Sequence, residues 1–239
     1  MGYFMKRYFE RICFLSQIAV DEQMVEKFET YYEMLIEKNK TLNLTAITKM
    51  EDVVLKHFID SISISHCYDF TGKEIIDVGT GAGFPGVPLA IYYPDTHFVL
   101  MDSVKKKLDF VDSVLEKLNI NNVTLIHGRA ETFGRDEKYR EQFDYCVSRA
   151  VAPLPVLLEL CTPFIKVGGR FIAYKSHKYR EEFDVSDNAA NTLGCEADVL
   201  MTYTIPDTDF YRVFIVFLKK QILAKKYPRQ AGRPKKNPL

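Results

Sequence analysis

The 239-residue sequence has no apolar run long enough to cross a lipid bilayer, which needs about 20 consecutive apolar residues. The apolar stretch nearest the N-terminus, residues 12–20, is interrupted by Ser16 and Gln17 and has no small-residue cleavage site after it. We therefore expect this stretch to form a helix rather than a signal peptide. With 47% apolar and 27% charged residues, the composition is typical of a soluble globular protein.

Paired cysteine motifs are also missing. The five cysteines lie at positions 13, 67, 146, 161 and 195, an odd number without any C-x-x-C spacing. This pattern predicts reduced and mostly buried thiols in a cytoplasmic protein. The five histidines do not combine with these cysteines into a metal-ligand spacing, so we expect no metal site.

Acidic residues are absent from the last 21 positions. This C-terminal segment carries eight lysine and arginine residues, whereas the remainder has 24 basic and 32 acidic residues, a formal charge of −8. A basic segment on an acidic body favours a polyanionic partner, with nucleic acid as the leading candidate. A disordered, solubilising tail fits the same charge pattern equally well.

Helical and strand patterns follow one another in a regular order. Residues 20–40 and 51–65 have the apolar spacing of amphipathic helices and predict an N-terminal helical extension over residues 1–70. From residue 75 onward, short apolar runs alternate with helical patterns, which predicts a parallel sheet covered on both faces. The predicted strands are 75–78, 97–101, 123–126, 143–148, 170–174, 198–204 and 211–217. A turn at Gly168-Gly169 should precede the fifth strand, and one helix over about 180–193 should follow it.

The last two predicted strands are joined by the short turn 205–209, so they must pair antiparallel. Seven strands with a reversed last strand form the Rossmann-like fold of the class I S-adenosylmethionine-dependent methyltransferases. We therefore predict an α/β methyltransferase domain over residues 71–220, followed by a basic C-terminal tail over 221–239.

A glycine-rich turn follows the first predicted strand. Residues 79–86 read Gly-Thr-Gly-Ala-Gly-Phe-Pro-Gly and match both G-x-G-x-G and the dinucleotide-binding G-x-G-x-x-G. The dinucleotide interpretation is disfavoured by Asp77, whose charge would repel a pyrophosphate, and by Pro85, which has no N–H to donate. An acid is favourable near the cationic sulfonium and amino groups of S-adenosylmethionine. We predict that the cofactor site includes Asp77, Gly79, Gly81 and Gly83.

Further cofactor contacts are predicted where the next two strands end. Asp102 can accept two hydrogen bonds from ribose hydroxyls. NAD-dependent enzymes use a carboxylate in the same way, and Asp102 can also cap the helix that follows it. Ala130 and Glu131 follow the third strand, where methyltransferases bind adenine, although a lone Glu131 is more often a surface acid.

The fourth predicted strand ends in Ser148-Arg149-Ala150, over the same crevice. Methyltransferases that act on exocyclic amines commonly carry Asn/Asp-Pro-Pro-aromatic here, and cytosine-C5 enzymes carry Pro-Cys; this sequence has neither. A nucleophile with a lone pair and no proton to lose needs neither motif, and guanine N7 meets that description. His57, Asp60 and Ser61 share one helical face, where a structural role is the commoner explanation.

These motifs together resemble one family. Lys-His-x-x-Asp-Ser, Ile-Asp-Val-Gly-Thr-Gly-x-Gly-x-Pro-Gly, Leu-x-Asp-Ser, Ala-Glu, Ser-Arg-Ala, Tyr-x-x-Lys and a closing Tyr-Pro-Arg occur in order. The sequence from about Thr41 to Leu239 resembles the bacterial 16S rRNA guanine-N7 methyltransferases, also called glucose-inhibited division protein B. Lys56 departs from the family pattern, since many members have Arg before the histidine, and this weakens bidentate phosphate contact.

The resemblance implies an enzyme that methylates N7 of one guanine in 16S rRNA, with the small ribosomal subunit as its partner. It implies S-adenosylmethionine contacts at Gly79, Phe84, Ala130, Glu131 and Arg149, with Asp102 joining them on the ribose argument. We expect in-line displacement without a general base, and we expect a monomer. Residues expected to orient the guanine or the cofactor are Arg149, His57, Asp60 and Lys175. Residues expected to bind RNA are Lys225, Lys226, Tyr227 (by stacking), Arg229, Lys235 and Lys236.

Two other functions are compatible with parts of the sequence. An NAD-dependent oxidoreductase is disfavoured by Asp77, Pro85 and the terminal antiparallel hairpin. A ribosome-assembly factor with a vestigial pocket is disfavoured because every expected cofactor position is intact. Under the methyltransferase hypothesis, Arg149→Ala should abolish methylation while leaving the fold intact.

Overall fold

The computed structural model describes residues 2–239, and Met1, the first residue of the predicted N-terminal extension, lies outside the described residues. Residues 2–239 form one seven-stranded sheet with helices on both faces. The strands are β1 (Glu74–Val78), β2 (His97–Asp102), β3 (Val123–His127), β4 (Phe143–Arg149), β5 (Ile165–Lys175), β6 (Cys195–Thr204) and β7 (Tyr211–Lys219). The α-helices of the described residues are α1 (Gly2–Leu15), α2 (Glu22–Asn39), α3 (Met50–Val53), α4 (Asp60–Ile62), α5 (Gly86–Tyr92), α6 (Lys105–Lys117), α7 (Ala130–Phe133), α8 (Leu154–Cys161), α9 (Tyr179–Asp184), α10 (Asp187–Thr192) and α11 (Arg233–Lys236).

The strand order confirms the predicted fold class. The sheet runs β3-β2-β1-β4-β5-β7-β6, with β1 to β5 parallel and β7 antiparallel to both β5 and β6. The order reverses beside β1, whose neighbours are β2 and β4. A crevice therefore opens at the carboxyl ends of β1 and β4, where ligands bind in open α/β sheets.

The N-terminal helices cover one face of the sheet through an aromatic cluster. The ring of Phe28 lies 4.7 Å from Phe9 and 5.0 Å from Phe58, and all three side chains are buried. Tyr31 extends the cluster to the glycine-rich turn, because its hydroxyl donates to the carbonyl of Ala82 across 2.5 Å. This hydrogen bond ties α2 to the glycine-rich turn.

The helix predicted over 51–65 is irregular at its centre. A π-helical segment, Val54–Ile59, separates α3 from α4, and a 3₁₀ turn, Ser63–His66, follows. Such π segments are uncommon and frequently occur at functional sites. This one contains His57, and Asp60 follows it directly.

Three local predictions were wrong. The helix expected over residues 12–20 ends at Leu15, because the chain turns at Ser16 and Gln17. Gly168 and Gly169 lie inside β5 and not in a turn before it, because the register with β4 shifts between Phe143, which faces Ile165, and Tyr145. The single helix predicted over 180–193 is divided into α9 and α10, since the chain turns at residues 185–186.

The remaining sequence expectations concern thiols and membranes. All five cysteines are unpaired, and Cys67 is exposed while the other four are buried, which confirms the prediction of mostly buried thiols. None of the helices within residues 2–239 combines the length and the apolarity required to cross a bilayer.

Candidate active site

The glycine-rich turn needs glycine for two physical reasons. Gly79, Gly81 and Gly83 have φ angles of +79°, +61° and +102°, where a side chain would be strained. A Cβ on Gly79 would lie 2.3 Å from Cγ2 of Val151, and one on Gly83 would lie 2.6 Å from the Tyr31 hydroxyl. The turn is therefore packed tightly between α2 and the segment that follows β4.

A first cavity of about 380 Å³ opens at this turn and runs along the ends of β1, β2 and β3. Its lining brings together four of the predicted cofactor positions: Gly79, Asp102, Ala130 and Glu131. S-adenosylmethionine fits this lining, because it offers bare backbone at Gly79, a carboxylate at Asp102 and apolar walls from Met101, Val156 and Leu160. The Asp102 carboxylate already accepts hydrogen bonds from the N–H groups of Gly81 and Val104, each at 2.8 Å. It keeps further lone pairs, because a carboxylate has about four acceptor sites.

Asp77 has a different position from the predicted one. Its side chain is fully buried beneath the turn and does not line the cavity; Oδ2 accepts the Gly86 N–H at 2.9 Å. Burial raises the pKa of Asp77 to about 7, against the opposing effects of the Thr80 hydroxyl and the Gly86 N–H. Asp77 therefore fixes the start of α5, and its proposed direct contact with a cationic cofactor is withdrawn.

The last residue of β4, Arg149, joins a buried charge cluster. Arg149 Nη1 donates to Asp60 Oδ2 across 2.5 Å, and Arg212 forms an ion pair with both oxygens of the same carboxylate. Asp60 is fully buried, so its charge depends on these two guanidinium groups. Arg149 and Asp60 were predicted from the sequence and Arg212 was not; its signal is a charged residue directly before the apolar run 213–218 of β7.

His57 completes this cluster as a neutral ring. Its Nδ1 lies 3.2 Å from Arg149 Nη2, which can only donate, so Nδ1 accepts and Nε2 carries the proton. Nε2 then donates to the Thr45 hydroxyl at 2.8 Å. Burial and the charge of Arg149 lower the pKa of His57 to about 3.

A second cavity of about 660 Å³ lies against this cluster. Its lining includes Lys56, His57, Arg149, Lys175 and Arg212. Residues 150–152 line both cavities, so this three-residue segment forms a wall between the two spaces. Ala150 turns the chain into this wall with a φ of +57°.

Comparisons with known proteins decide the family. The model of the family described as rRNA small subunit methyltransferase G matches residues 24–209. The chain belongs to this family. It is 46% identical over 221 residues to a ribosomal RNA small subunit methyltransferase G from Lachnoclostridium phytofermentans, covering 92% of this chain and 91% of that protein. It is 45% identical to the protein of the same name from Acetivibrio thermocellus, covering 93% and 91%.

A solved structure agrees with the family at the level of the fold. An S-adenosylmethionine-dependent O-methyltransferase from Thermotoga maritima superposes with a TM-score of 0.52 at 18% identity, covering 78% of this chain and 71% of that one. The predicted methyltransferase fold with its reversed last strand is confirmed. This member of the rRNA small subunit methyltransferase G family is thus an enzyme of the methyltransferase class.

Phe84, predicted as a cofactor contact, does not line the first cavity. Its ring is stacked between His57, at 4.5 Å between centroids, and Tyr31, at 5.3 Å. The guanidinium of Arg149 lies 5.2 Å from the same ring. The structure gives Phe84 a supporting role, because it keeps His57 and Arg149 in place.

Lys175 lies at the edge of the second cavity, where it holds two groups. Its Nζ donates to the Ala152 carbonyl at 3.1 Å and to Glu182 Oε2 at 2.6 Å. The same Glu182 oxygen accepts the Leu154 N–H at 2.8 Å. Glu182 could not be predicted from the sequence, because α9 carries several acids and nothing in their pattern distinguishes this one.

The basic C-terminal segment is docked on the domain. Arg140 donates to the carbonyls of Leu223 and Tyr227, each at 2.8 Å. Glu131, predicted as a cofactor contact, lines the first cavity and also accepts the Gly232 N–H through Oε1 at 2.9 Å. Gly232 and Lys235 consequently form part of the lining of the first cavity. The alternative of a disordered tail is therefore wrong.

The docked C-terminal segment leaves some of the predicted RNA contacts exposed and buries others. The side chains of Lys225, Lys226 and Lys236 are exposed, and Lys235 is exposed at the mouth of the first cavity. Arg229 is engaged with both oxygens of buried Glu159, and the Tyr227 ring is 7% exposed. Because Arg229 is held in an ion pair and Tyr227 is buried, the four exposed lysines are the better placed of the predicted RNA contacts.

Proposed function

We propose that this protein transfers a methyl group from S-adenosylmethionine to N7 of a guanine in 16S rRNA. The observation that carries the proposal is the pair of cavities on either side of residues 150–152. One cavity has the features of a cofactor site and the other has donors suited to a nucleobase and its phosphates. Relatives that match more than nine-tenths of the chain are named for methylation of small-subunit rRNA.

The cofactor is proposed to bind in the first cavity. The Gly79 backbone and the wall would hold its methionine portion, Asp102 would accept ribose hydroxyls, and Ala130 would lie against adenine. When bound, the cofactor supplies an electrophilic methyl group on a sulfonium. Glu131 acts on this site through Gly232, because their hydrogen bond brings the C-terminal segment to the adenine end.

The described residues favour a nucleophile that needs no base. His57 is neutral, and its unprotonated Nδ1 is already occupied by Arg149. Asp60 is fully buried and held by two arginines. Guanine N7 carries a lone pair and loses no proton when it is alkylated, so catalysis rests on positioning and electrostatics.

The RNA is proposed to approach across the mouth of both cavities. Lys56 lies at the second cavity and Lys235 at the first, and the exposed Lys225, Lys226 and Lys236 extend this basic surface along the C-terminal segment. Phosphate contacts from lysine supply affinity without reading sequence.

The reaction is tested with methyl-labelled S-adenosylmethionine and small ribosomal subunits from a strain that lacks the gene. After digestion to nucleosides, we expect the label in 7-methylguanosine. Label in a different nucleoside would contradict the N7 assignment. Calorimetry with S-adenosylhomocysteine and NADH tests the cofactor separately: heat of binding with NADH alone would support the oxidoreductase alternative.

A further inference from the structure

The second cavity contains one carboxylate that the proposed reaction has not yet used. Two carboxylates line this cavity within the described residues, Asp60 and Glu182. Asp60 is fully buried and accepts three N–H donors from Arg149 and Arg212, so it is not accessible to a base in the cavity. Glu182 is partly exposed, and the hydrogen bonds of residues 2–239 engage only its Oε2. Oε1 therefore remains able to accept.

Glu182 is also held firmly in position. Oε2 accepts the Leu154 N–H at 2.8 Å, from the start of α8, and the Lys175 ammonium at 2.6 Å. Lys175 donates in addition to the Ala152 carbonyl at 3.1 Å, within the wall between the cavities. One lysine thus fixes the carboxylate relative to the wall, near which methyl transfer is proposed.

Guanine differs from the other bases in its Watson–Crick edge. N1–H and the N2 amino group are adjacent donors, and a carboxylate accepts from both, whereas adenine presents a ring acceptor at N1. The other charged residues lining the cavity are donors: Lys56, Arg149, Lys175 and Arg212. These cations suit O6 and the phosphates, but they offer nothing to the N1–H and N2 donors.

The change of charge during the reaction also favours a carboxylate beside the N1–H edge of the guanine. As the bond from N7 to the methyl carbon forms and the carbon–sulfur bond breaks, positive charge passes from sulfur to the purine, and the N1 proton stays on the base. A purine that becomes cationic among four basic residues needs a nearby anion. A carboxylate on the N1–H edge binds the charged product more strongly than neutral guanine, so it favours the transition state.

We propose that Glu182 selects the target guanine by accepting hydrogen bonds from N1–H and the N2 amino group. The proposal rests on the proposed function, because it assigns a recognition residue within the same site. Lys175 is then a positioning residue that holds Glu182 against the wall.

The test crosses one protein change with one base change. Wild type and Glu182→Gln are assayed on small-subunit particles reconstituted with 16S rRNA that carries guanosine or inosine at the methylated position. Inosine retains N7, O6 and N1–H and lacks only the N2 amino group. Glu181→Gln, at the exposed neighbouring acid on α9, is the matched control, and thermal unfolding checks that each variant folds.

We expect inosine to lower kcat/KM of the wild type about tenfold or more, the usual effect of losing a hydrogen bond to a charged group. Glu182→Gln should lower kcat/KM on guanosine by a similar or larger factor. In this variant kcat/KM should be less than about threefold lower on inosine than on guanosine, because the carboxylate that binds the N2 amino group is already gone. Glu181→Gln should match the wild type on both particles.

An equal inosine penalty in wild type and Glu182→Gln would overturn the proposal, because a carboxylate that only holds Lys175 would slow both substrates alike. Unchanged activity of Glu182→Gln on guanosine would also overturn it. Failure of the wild type to methylate guanosine at N7 would instead refute the proposed function itself, and the assignment of Glu182 with it.

Discussion

Arg149 Nη2 lies 3.2 Å from His57 Nδ1, so the ring nitrogen that would otherwise act as a base is occupied by a permanent cation. The other ring nitrogen donates to Thr45. A histidine held in this way positions Arg149 and cannot accept a proton from a substrate. The pair links the π-helical segment to the end of β4, two of the elements that border the second cavity.

The first prediction concerns the pH dependence of stability. The pKa of His57 is about 3 in the folded protein and about 6.5 in the unfolded chain. Below pH 6.5 the His57 imidazole binds a proton in the unfolded state, whereas in the folded state it binds one only near pH 3. The contribution of His57 to the free energy of unfolding is therefore complete above pH 6.5. It is lost as the pH falls from 6.5 towards 3, by up to ~1.4 kcal/mol per pH unit.

Urea unfolding between pH 7 and pH 5 checks this prediction. His57→Gln should show a shallower loss of stability than the wild type, because the titrating group is gone. His127→Gln, which removes an exposed histidine, controls for the loss of a histidine as such. Parallel profiles for wild type and His57→Gln would mean that His57 titrates normally in the folded protein.

The second prediction revises the expected behaviour of Arg149→Ala. Methylation should be lost, but the fold should also be weakened, because Asp60 is fully buried and would retain only Arg212. Breaking a buried ion pair costs about 3–5 kcal/mol, and the remaining arginine should hold the loss to about 3 kcal/mol or less. Adding Asp60→Asn should lower the unfolding free energy further, because Arg212 would lose its ion-pair partner, and it should not restore methylation. Wild-type turnover by Arg149→Ala would remove this residue from the site.

The third prediction concerns the glycine-rich turn. Gly79→Ala places a Cβ 2.3 Å from Val151 Cγ2 and adds about 1–2 kcal/mol of strain at a φ of +79°. We expect at least about tenfold weaker binding of S-adenosylhomocysteine by calorimetry, because the displaced wall narrows the first cavity. Gly72→Ala is the matched control: its φ is +68° and nothing lies within 4 Å of the new Cβ. Equal losses of affinity in both variants would point to general destabilisation.

The fourth prediction separates RNA contacts from structural arginines. Lys225→Ala with Lys226→Ala should weaken binding to small-subunit particles and reduce the salt slope of log K by up to about 2, since each phosphate contact contributes about 0.7–0.9. Affinity for S-adenosylhomocysteine should not change. Arg229→Ala should instead lower the unfolding free energy, because Glu159 is fully buried and would lose its ion-pair partner. An unchanged salt slope in the double lysine variant would exclude these lysines as phosphate contacts.

The sequence was sufficient for the features that depend on local pattern. The apolar run at Ile75, the position of Asp102 at the end of its strand and the short turn before β7 each predicted an element or a place in the crevice. Glycine spacing predicted the turn, because positive φ angles and close packing are requirements that glycine alone meets easily.

The features that the sequence could not predict depend on contacts between distant residues. Arg212 reaches Asp60 across 152 positions, and Gly232 reaches Glu131 across 101. The glycine motif after Asp77 is compatible with an Asp77 side chain either above or beneath the turn. Only the packed structure shows that this side chain is buried. The tail's composition described its charge but not the carbonyls that Arg140 binds.

The most direct test of the central claim is mass mapping of 16S rRNA in the cell from which the gene comes. The rRNA is compared between the parent strain, a deletion strain, and the deletion strain carrying either the wild-type gene or Arg149→Ala. We predict that one 7-methylguanosine disappears on deletion, returns with the wild-type gene and stays absent with the variant. A 16S rRNA whose N7-methylguanine content is unchanged in the deletion strain would contradict the account.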